Sequence, residues 1–146
     1  MRVPIYRCKL VRDSSQAKAP RTCSAPKESA ALFREFIGDG ADEEHFVRAA
    51  LDARRRVIGL SLVSLGTLSA SLVHPREVFE PAILLNAAAI VVCHNHPSGD
   101  CAPSAEDREA TRRLAKAGEL LGVPLLDHVI LGEGGAFFSF RDSGLL

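Results

Sequence analysis

Residues 88–107 read AAIVVCHNHPSGDCAPSAED, and the reading of this stretch decides the fold. Its first six residues, AAIVVC (88–93), are a short apolar run with β-branched side chains, the pattern of a buried central strand. The next residues, HNHPSGDCAPS (94–104), carry Pro97, Gly99 and Pro103 and read as a loop. AEDREATRRLAKAGELLG (105–122) is a long helix with Gly122 as its stop. A buried strand that opens into a loop and hands over to a helix is a building unit of α/β sheets. Such sheets place their sites beyond the carboxyl ends of their strands.

Working outward, VPLLDHVIL (123–131) predicts another strand, GEGG (132–135) a turn and AFFSF (136–140) a last strand. On the other side, HPREVFEPAILLNA (74–87) has Pro75 near its start and apolar residues at helical spacing. It predicts a helix that Pro81 kinks or bounds. HFVRAALD (45–52) and VIGLSLVSLG (57–66) predict two strands joined by a turn that holds Arg54, Arg55 and Arg56. That arginine run reads as a solvated hairpin tip in preference to a nucleic-acid patch. From Lys27 to Ile37, Ala31, Leu32, Phe33 and Phe36 give an amphipathic helix stopped by Gly38 and Gly40. SSQAKAPRTCSAP (14–26) reads as a loop or arm, and residues 4–11 have strand-like composition with partial alternation. The sum is a single α/β domain with a mixed sheet and flanking helices, residues 27–146, preceded by an N-terminal strand and arm, residues 1–26.

Composition sets the outer limits. A chain of 146 residues with 47% hydrophobic content suits one soluble globular domain. Zero formal net charge argues against a protein built mainly for electrostatic binding to nucleic acid. The cations are 14 Arg against 4 Lys, so a local patch for carboxylate or phosphate stays open. The N-terminus lacks a charged segment followed by a long apolar one, and no apolar run reaches 18 residues. Neither a signal peptide nor a membrane span is expected. Cys8, Cys23, Cys93 and Cys101 form no CxxC pair. Free thiols in a reducing, cytoplasmic setting follow as the expectation.

Two histidines at i and i+2 on extended backbone point to the same side. His94 and His96, placed just beyond the buried strand, can bind one metal ion through nitrogen. Pro97 and Gly99 turn the chain, so the next helix starts close by with Asp107 in its first turn. Two imidazoles and one carboxylate make a three-ligand set with a fourth position for water, the pattern of a catalytic zinc site. Zinc brings the pKa of a coordinated water to about 7 and polarises a carbonyl. A general base is still needed, and Glu43 and Glu44 precede the strand at 45–52, with Glu44 directly before it. Ser104 can donate to the oxyanion of a tetrahedral intermediate. Ser104-Ala105-Glu106-Asp107 also fits a capping box, and the two roles do not exclude each other. Cys93 should face away from His94 as a buried apolar residue, while Cys101 lies in the loop where a thiolate could approach the metal. Asp127-His128 suggests hydrogen bonding, including support of a ligand. His74 reads as a helix-entry residue and His45 faces away from Glu44.

The same residues resemble the RadC-like family of the JAMM (MPN+) metalloproteases. That motif is an upstream glutamate, H-x-H, seven residues, Ser, two residues, Asp, matched by His94-Asn95-His96, Ser104 and Asp107. The RadC flavour lies in GTLSASLVHPREVFEPA, in HNHPSG followed by PSAED, in DHVIL and in SFRDSGLL. The resemblance covers about residues 27–146. It implies a JAB/MPN-like, cytidine-deaminase-like fold. It also implies zinc on His94, His96 and Asp107, Glu44 as general base, and Ser104 as oxyanion stabiliser. In the wider fold the reaction is hydrolysis of peptide or isopeptide bonds, including those to ubiquitin-like proteins. Full-length relatives carry a helix-hairpin-helix region where this sequence has the short arm, which weakens an inherited link to DNA repair.

The expected function is therefore a zinc-dependent peptidase or isopeptidase with a peptide or protein substrate. One alternative is a metal-dependent nuclease or DNA-repair accessory protein. In HNH nucleases, however, those letters are spread over a ββα unit, whereas here they are consecutive. Another is a non-catalytic scaffold, against which stands the retention of every ligand.

Overall fold

A computed structural model describes residues 1–13, 21–66 and 73–146. The elements, in chain order, are α1 (Pro26–Ile37), β1 (His45–Leu51), β2 (Val57–Leu65), α2 (Pro75–Leu84), β3 (Ala89–Asn95), α3 (Ala105–Leu121), β4 (Leu125–Leu131) and β5 (Phe137–Ser139). The five strands form one mixed sheet in the order β2-β1-β3-β4-β5. β3 runs parallel to β4, and the other neighbours are antiparallel.

Side-chain alternation divides the core. Phe46, Ala50, Ile90 and Val92 face Val78, Phe79 and Ala82 of α2 and Leu114 of α3. On the other face Val47, Ala49, Leu51, Val91, Cys93 and Val129 meet Leu32 and Phe33 of α1. The result is three layers, with β3 buried along all seven residues at the centre. Fully burying a side chain such as Phe33 contributes about 1.5–3 kcal/mol, so each helix is held chiefly by one apolar face.

Local chemistry explains the element ends. The β1–β2 turn closes because the Asp52 carboxylate accepts the backbone N–H groups of Arg54 and Arg56 and the Arg56 side chain. Arg54, Arg55 and Arg56 lie exposed at this tip, as their charge suggests. α2 passes through Pro81 and closes at Leu84, three residues short of the expected end. Asn86 then adopts φ 54, a left-handed turn that points the chain into β3. β4 begins at Leu125 because Pro124 has no N–H to give the ladder; its carbonyl instead accepts from Ile90 N at 3.0 Å.

Three expectations change. Residues 4–11 form no strand; Val3, Ile5 and Tyr6 stand exposed. A strand exists only with a partner, and no ladder among the described residues reaches this segment. The expected arm at 14–26 lies partly outside the described residues. Its end is packed: Thr22 bridges Arg56, Cys23 is buried, and α1 starts at Pro26. Finally, β3 runs on to Asn95, because Phe46↔His94 and Asn95↔Leu131 extend its ladders. His94 therefore lies in the strand and only His96 follows it. Residues 67–72, within the GTLSASL part of the sequence motif, are outside the described residues. No described helix is long and apolar enough to cross a membrane.

Candidate metal centre

The three expected ligands converge. His94 is carried by β3, and strand geometry puts His96, two residues on, on the same side. α3 brings in Asp107 because the chain turns at Gly99, whose φ is 86. His94 Nε2 lies 2.9 Å from His96 Nε2 and 3.1 Å from Asp107 Oδ1. His96 Nε2 lies 3.2 Å from Asp107 Oδ2. Adjacent ligand atoms of a tetrahedral site with 2.0–2.1 Å bonds stand about 3.3 Å apart; each of these contacts is close to that, the two to Asp107 being made by its two different oxygens, and one ligand atom from each residue lies within 4.8 Å of the others. Among the described residues this is the group of His, Cys, Asp and Glu side chains able to hold a metal ion.

The donor set suits a cation. His96 Nδ1 faces the Asp100 carbonyl oxygen at 2.7 Å. A carbonyl only accepts, so Nδ1 carries the hydrogen and neutral His96 turns a lone pair on Nε2 inward. A proton on Nε2 can take the place of such a cation, and its hydrogen bond to Asp107 raises the His96 pKa above the ordinary histidine value, against the opposing effect of burial. Burial alone would raise the Asp107 carboxyl. Its hydrogen bonds with His94 and His96 prevail and hold it well below the usual carboxylate range.

Asp107 has a second role. Ser104 Oγ accepts Asp107 N–H at 3.0 Å, and Asp107 Oδ2 accepts Ser104 N–H at 2.8 Å, a reciprocal capping box on α3. Capping and ligand geometry thus coexist on one carboxylate. The Ser104 hydroxyl hydrogen is not used in the cap, and Ser104 itself is exposed.

Glu44 stands one residue before β1, half-buried, and its charge contributes to raising His96. By alternation it belongs to the face of Phe46, which stacks on His94 at 6.0 Å between ring centroids. Glu43 is exposed, with its carbonyl oxygen taken by Asn95 Nδ2 and facing His45 Nδ1. The neighbours fall as expected in part. Cys93 points to the α1 face, where burial pushes its thiol pKa far up. Cys101 is half-buried, with its Cβ against Gly132, and stands outside the ligand group. His74 forms the entry to α2 and makes no side-chain cap.

Two residues with no assigned role in the sequence reading emerge here, and a third gains a precise one. Asn95 Oδ1 accepts His45 N–H at 2.7 Å while its Nδ2 donates to Glu43 O at 3.0 Å, so one amide grips the backbone on both sides of Glu44. Thr111, on α3, contacts both Asp107 and His128. His128 is fully buried with Nε2 at 2.8 Å from His94 Nδ1. The only sequence signal for Thr111 was its position four residues after Asp107, on the same helix face.

The RadC-like JAB domain family matches residues 23–145. The chain belongs to that family. Among its relatives, a UPF0758 protein of Rubrobacter xylanophilus is 49% identical over 139 residues, 94% of this chain and 60% of the relative. A UPF0758 protein of Trichlorobacter lovleyi is 56% identical over 123 residues, 84% of this chain and 53% of the relative. One from Clostridium kluyveri is 48% identical over 126 residues, 86% of this chain and 54% of the relative. The chain thus spans a little over half the length of these relatives. Its mixed sheet with helices on both faces agrees with a JAB/MPN fold, and as a RadC-like JAB domain it presents a His-His-Asp group able to hold a metal ion.

Proposed function

We propose that this JAB domain is a zinc-dependent hydrolase of amide bonds in peptides or proteins, ubiquitin-like conjugates included. The observation that carries the reading is the cage of His94, His96 and Asp107, two ring nitrogens and the two oxygens of one carboxylate meeting at 2.9–3.2 Å. Two imidazoles and one carboxylate suit zinc and leave one coordination position for chemistry. When bound, zinc supplies a Lewis acid and a water acidic enough to react near neutral pH.

The protein's own groups would do the rest. Glu44, gripped through its neighbours by Asn95, takes the proton from the attacking water and passes it to the leaving amine. Ser104 donates its free hydroxyl hydrogen to the developing oxyanion. His96 also lines an open cleft of about 570 Å³, bordered by Gly38–Ala41 and Gly132–Gly135, with room for an extended segment of substrate. Arg34 braces that cleft by donating to the Gly132 and Ala136 carbonyls. Four free cysteines agree with a reducing, cytoplasmic setting.

The test is metal analysis of purified protein beside His96→Ala, followed by peptide-library cleavage with a Glu44→Gln control. About one zinc per chain that the variant loses, with cleavage abolished by Glu44→Gln, is the expected result. Metal-free wild type would overturn the reading, as would nucleic-acid cleavage that depends on the same ligands.

A further inference from the structure

A histidine that ligates through Nε2 must keep its proton on Nδ1, and metal sites usually secure this by placing a pure acceptor, a carboxylate or carbonyl, against Nδ1. Here the group at that place is another histidine. His94 Nδ1 lies 2.8 Å from His128 Nε2. A neutral imidazole can donate or accept, so His128 alone leaves the His94 tautomer undecided. Something further along must decide it.

Thr111 supplies the decision. Its hydroxyl has one hydrogen and two close neighbours, the Asp107 carbonyl oxygen at 2.7 Å and His128 Nδ1 at 2.6 Å. The carbonyl can only accept, so the hydroxyl hydrogen goes to it, the ordinary bond of a helical threonine to the carbonyl four residues back. The threonine oxygen then has only lone pairs left for His128, and His128 Nδ1 must donate. Nε2 of neutral His128 is therefore bare and accepts from His94 Nδ1. The reverse order would turn the hydroxyl lone pairs on the Asp107 carbonyl oxygen at 2.7 Å, acceptor against acceptor, and would give up a hydrogen bond worth about 0.5–1.5 kcal/mol. It would also place a hydrogen on His94 Nε2, toward Asp107 Oδ1 at 3.1 Å, so the order set by Thr111 works against the carboxylate, which favours the other tautomer.

The ring of His128 has no second arrangement open to it. Phe140 stacks on one face at 4.9 Å with an interplanar angle of 11°, and Phe46 meets it edge-on at 5.6 Å. Both are apolar, so they offer neither ring nitrogen another partner. Burial favours the neutral form of His128. Asp127, next in the chain, points to the opposite face, where it takes Ser139 Oγ–H and Arg141 N–H.

We propose that Thr111 and His128 form a proton-ordering relay that holds His94 in its Nδ1–H tautomer, so that the Nε2 lone pair is set for a metal before any metal arrives. Thr111 and His128 are positioning residues acting through His94, and the proposal rests on His94 being a ligand.

Two readouts test it, neither of them turnover. The first is the side-chain nitrogen NMR of metal-free protein at a pH above the histidine range, which reports the tautomer directly. The second is the zinc dissociation constant from chelator competition. Wild type should show His94 as Nδ1–H. Thr111→Val removes the hydroxyl at constant volume and should shift His94 toward Nε2–H while weakening zinc roughly 10–100-fold. Thr111→Ser keeps the hydroxyl and should restore both, which a packing role for the threonine would not predict. His94 found as Nε2–H in wild type overturns the relay, as does a folded Thr111→Val that leaves tautomer and affinity unchanged. If wild type binds no zinc yet the tautomer responds to Thr111→Val, the relay stands and the metal reading falls.

Discussion

Among the described residues Arg48 is the largest fully buried side chain, and its Nε and one terminal nitrogen find no hydrogen-bond partner there. Its other terminal nitrogen donates to Ser61 Oγ. Burial lowers its pKa to about 10, still far above neutral, so the cation persists inside. Each unmet buried donor costs about 1–3 kcal/mol. Arg48→Met keeps the bulk and removes the charge; we expect it to raise the urea midpoint by the equivalent of about 1 kcal/mol or more, with an unchanged denaturant slope. Asn95 is the opposite case, a buried amide with both of its ends used. Asn95→Ala should leave zinc stoichiometry near wild type while cutting cleavage, because it frees the backbone on both sides of Glu44. Metal analysis beside steady-state rates separates the two effects, and lost zinc would contradict the assignment.

At the level of elements, composition and spacing carried most of the information. The run of β-branched residues before HNH, the capping box at Ser104 and the left-handed Gly122 each mark an element end through local chemistry, and β3 and α3 follow. The proline inside α2 was less decisive. Pro81 neither breaks nor ends α2, because helix packing on the sheet outweighs one lost ladder bond. The apparent strand at 4–11 failed because alternation records a preference, whereas a strand needs a neighbour. His94, His96 and Asp107 were legible because they are close in sequence. The Thr111–His128 contact joins residues 17 apart on a helix and a strand, and nothing local announces it. Gly118 makes the same point. In α3 an alanine would favour the helix by about 1 kcal/mol. Its Cβ, however, would lie 2.6 Å from the Val123 carbonyl oxygen and 3.2 Å from Leu125 N. Gly118→Ala should therefore lower the melting temperature, and a rise would show that the α3–β4 junction can move.

For the molecule as a whole, the layers set where stability and reactivity meet. An apolar cluster lies on either side of the sheet, so the fold should persist without metal. A zinc ion that binds only the folded state adds RT ln(1 + [L]/Kd), about 2.7 kcal/mol at a hundredfold excess over Kd. For a domain of this size that corresponds to a rise of several degrees in melting temperature. Chelation should reverse the rise in wild type and leave His96→Ala unmoved in a calorimetric scan. An equal shift in both would place the stabilising ion elsewhere.

The carboxylate of Asp107 closes the first turn of α3 with one hand and faces two imidazoles with the other. Local opening of that turn and escape of an ion are then one event rather than two. The amide hydrogens of Ser104 and Asp107, both held in the cap, become clocks for the occupancy of the cage. Their exchange with solvent should slow when the ion is bound and quicken when it is withdrawn, while the amides of the last turn of α3 keep their pace.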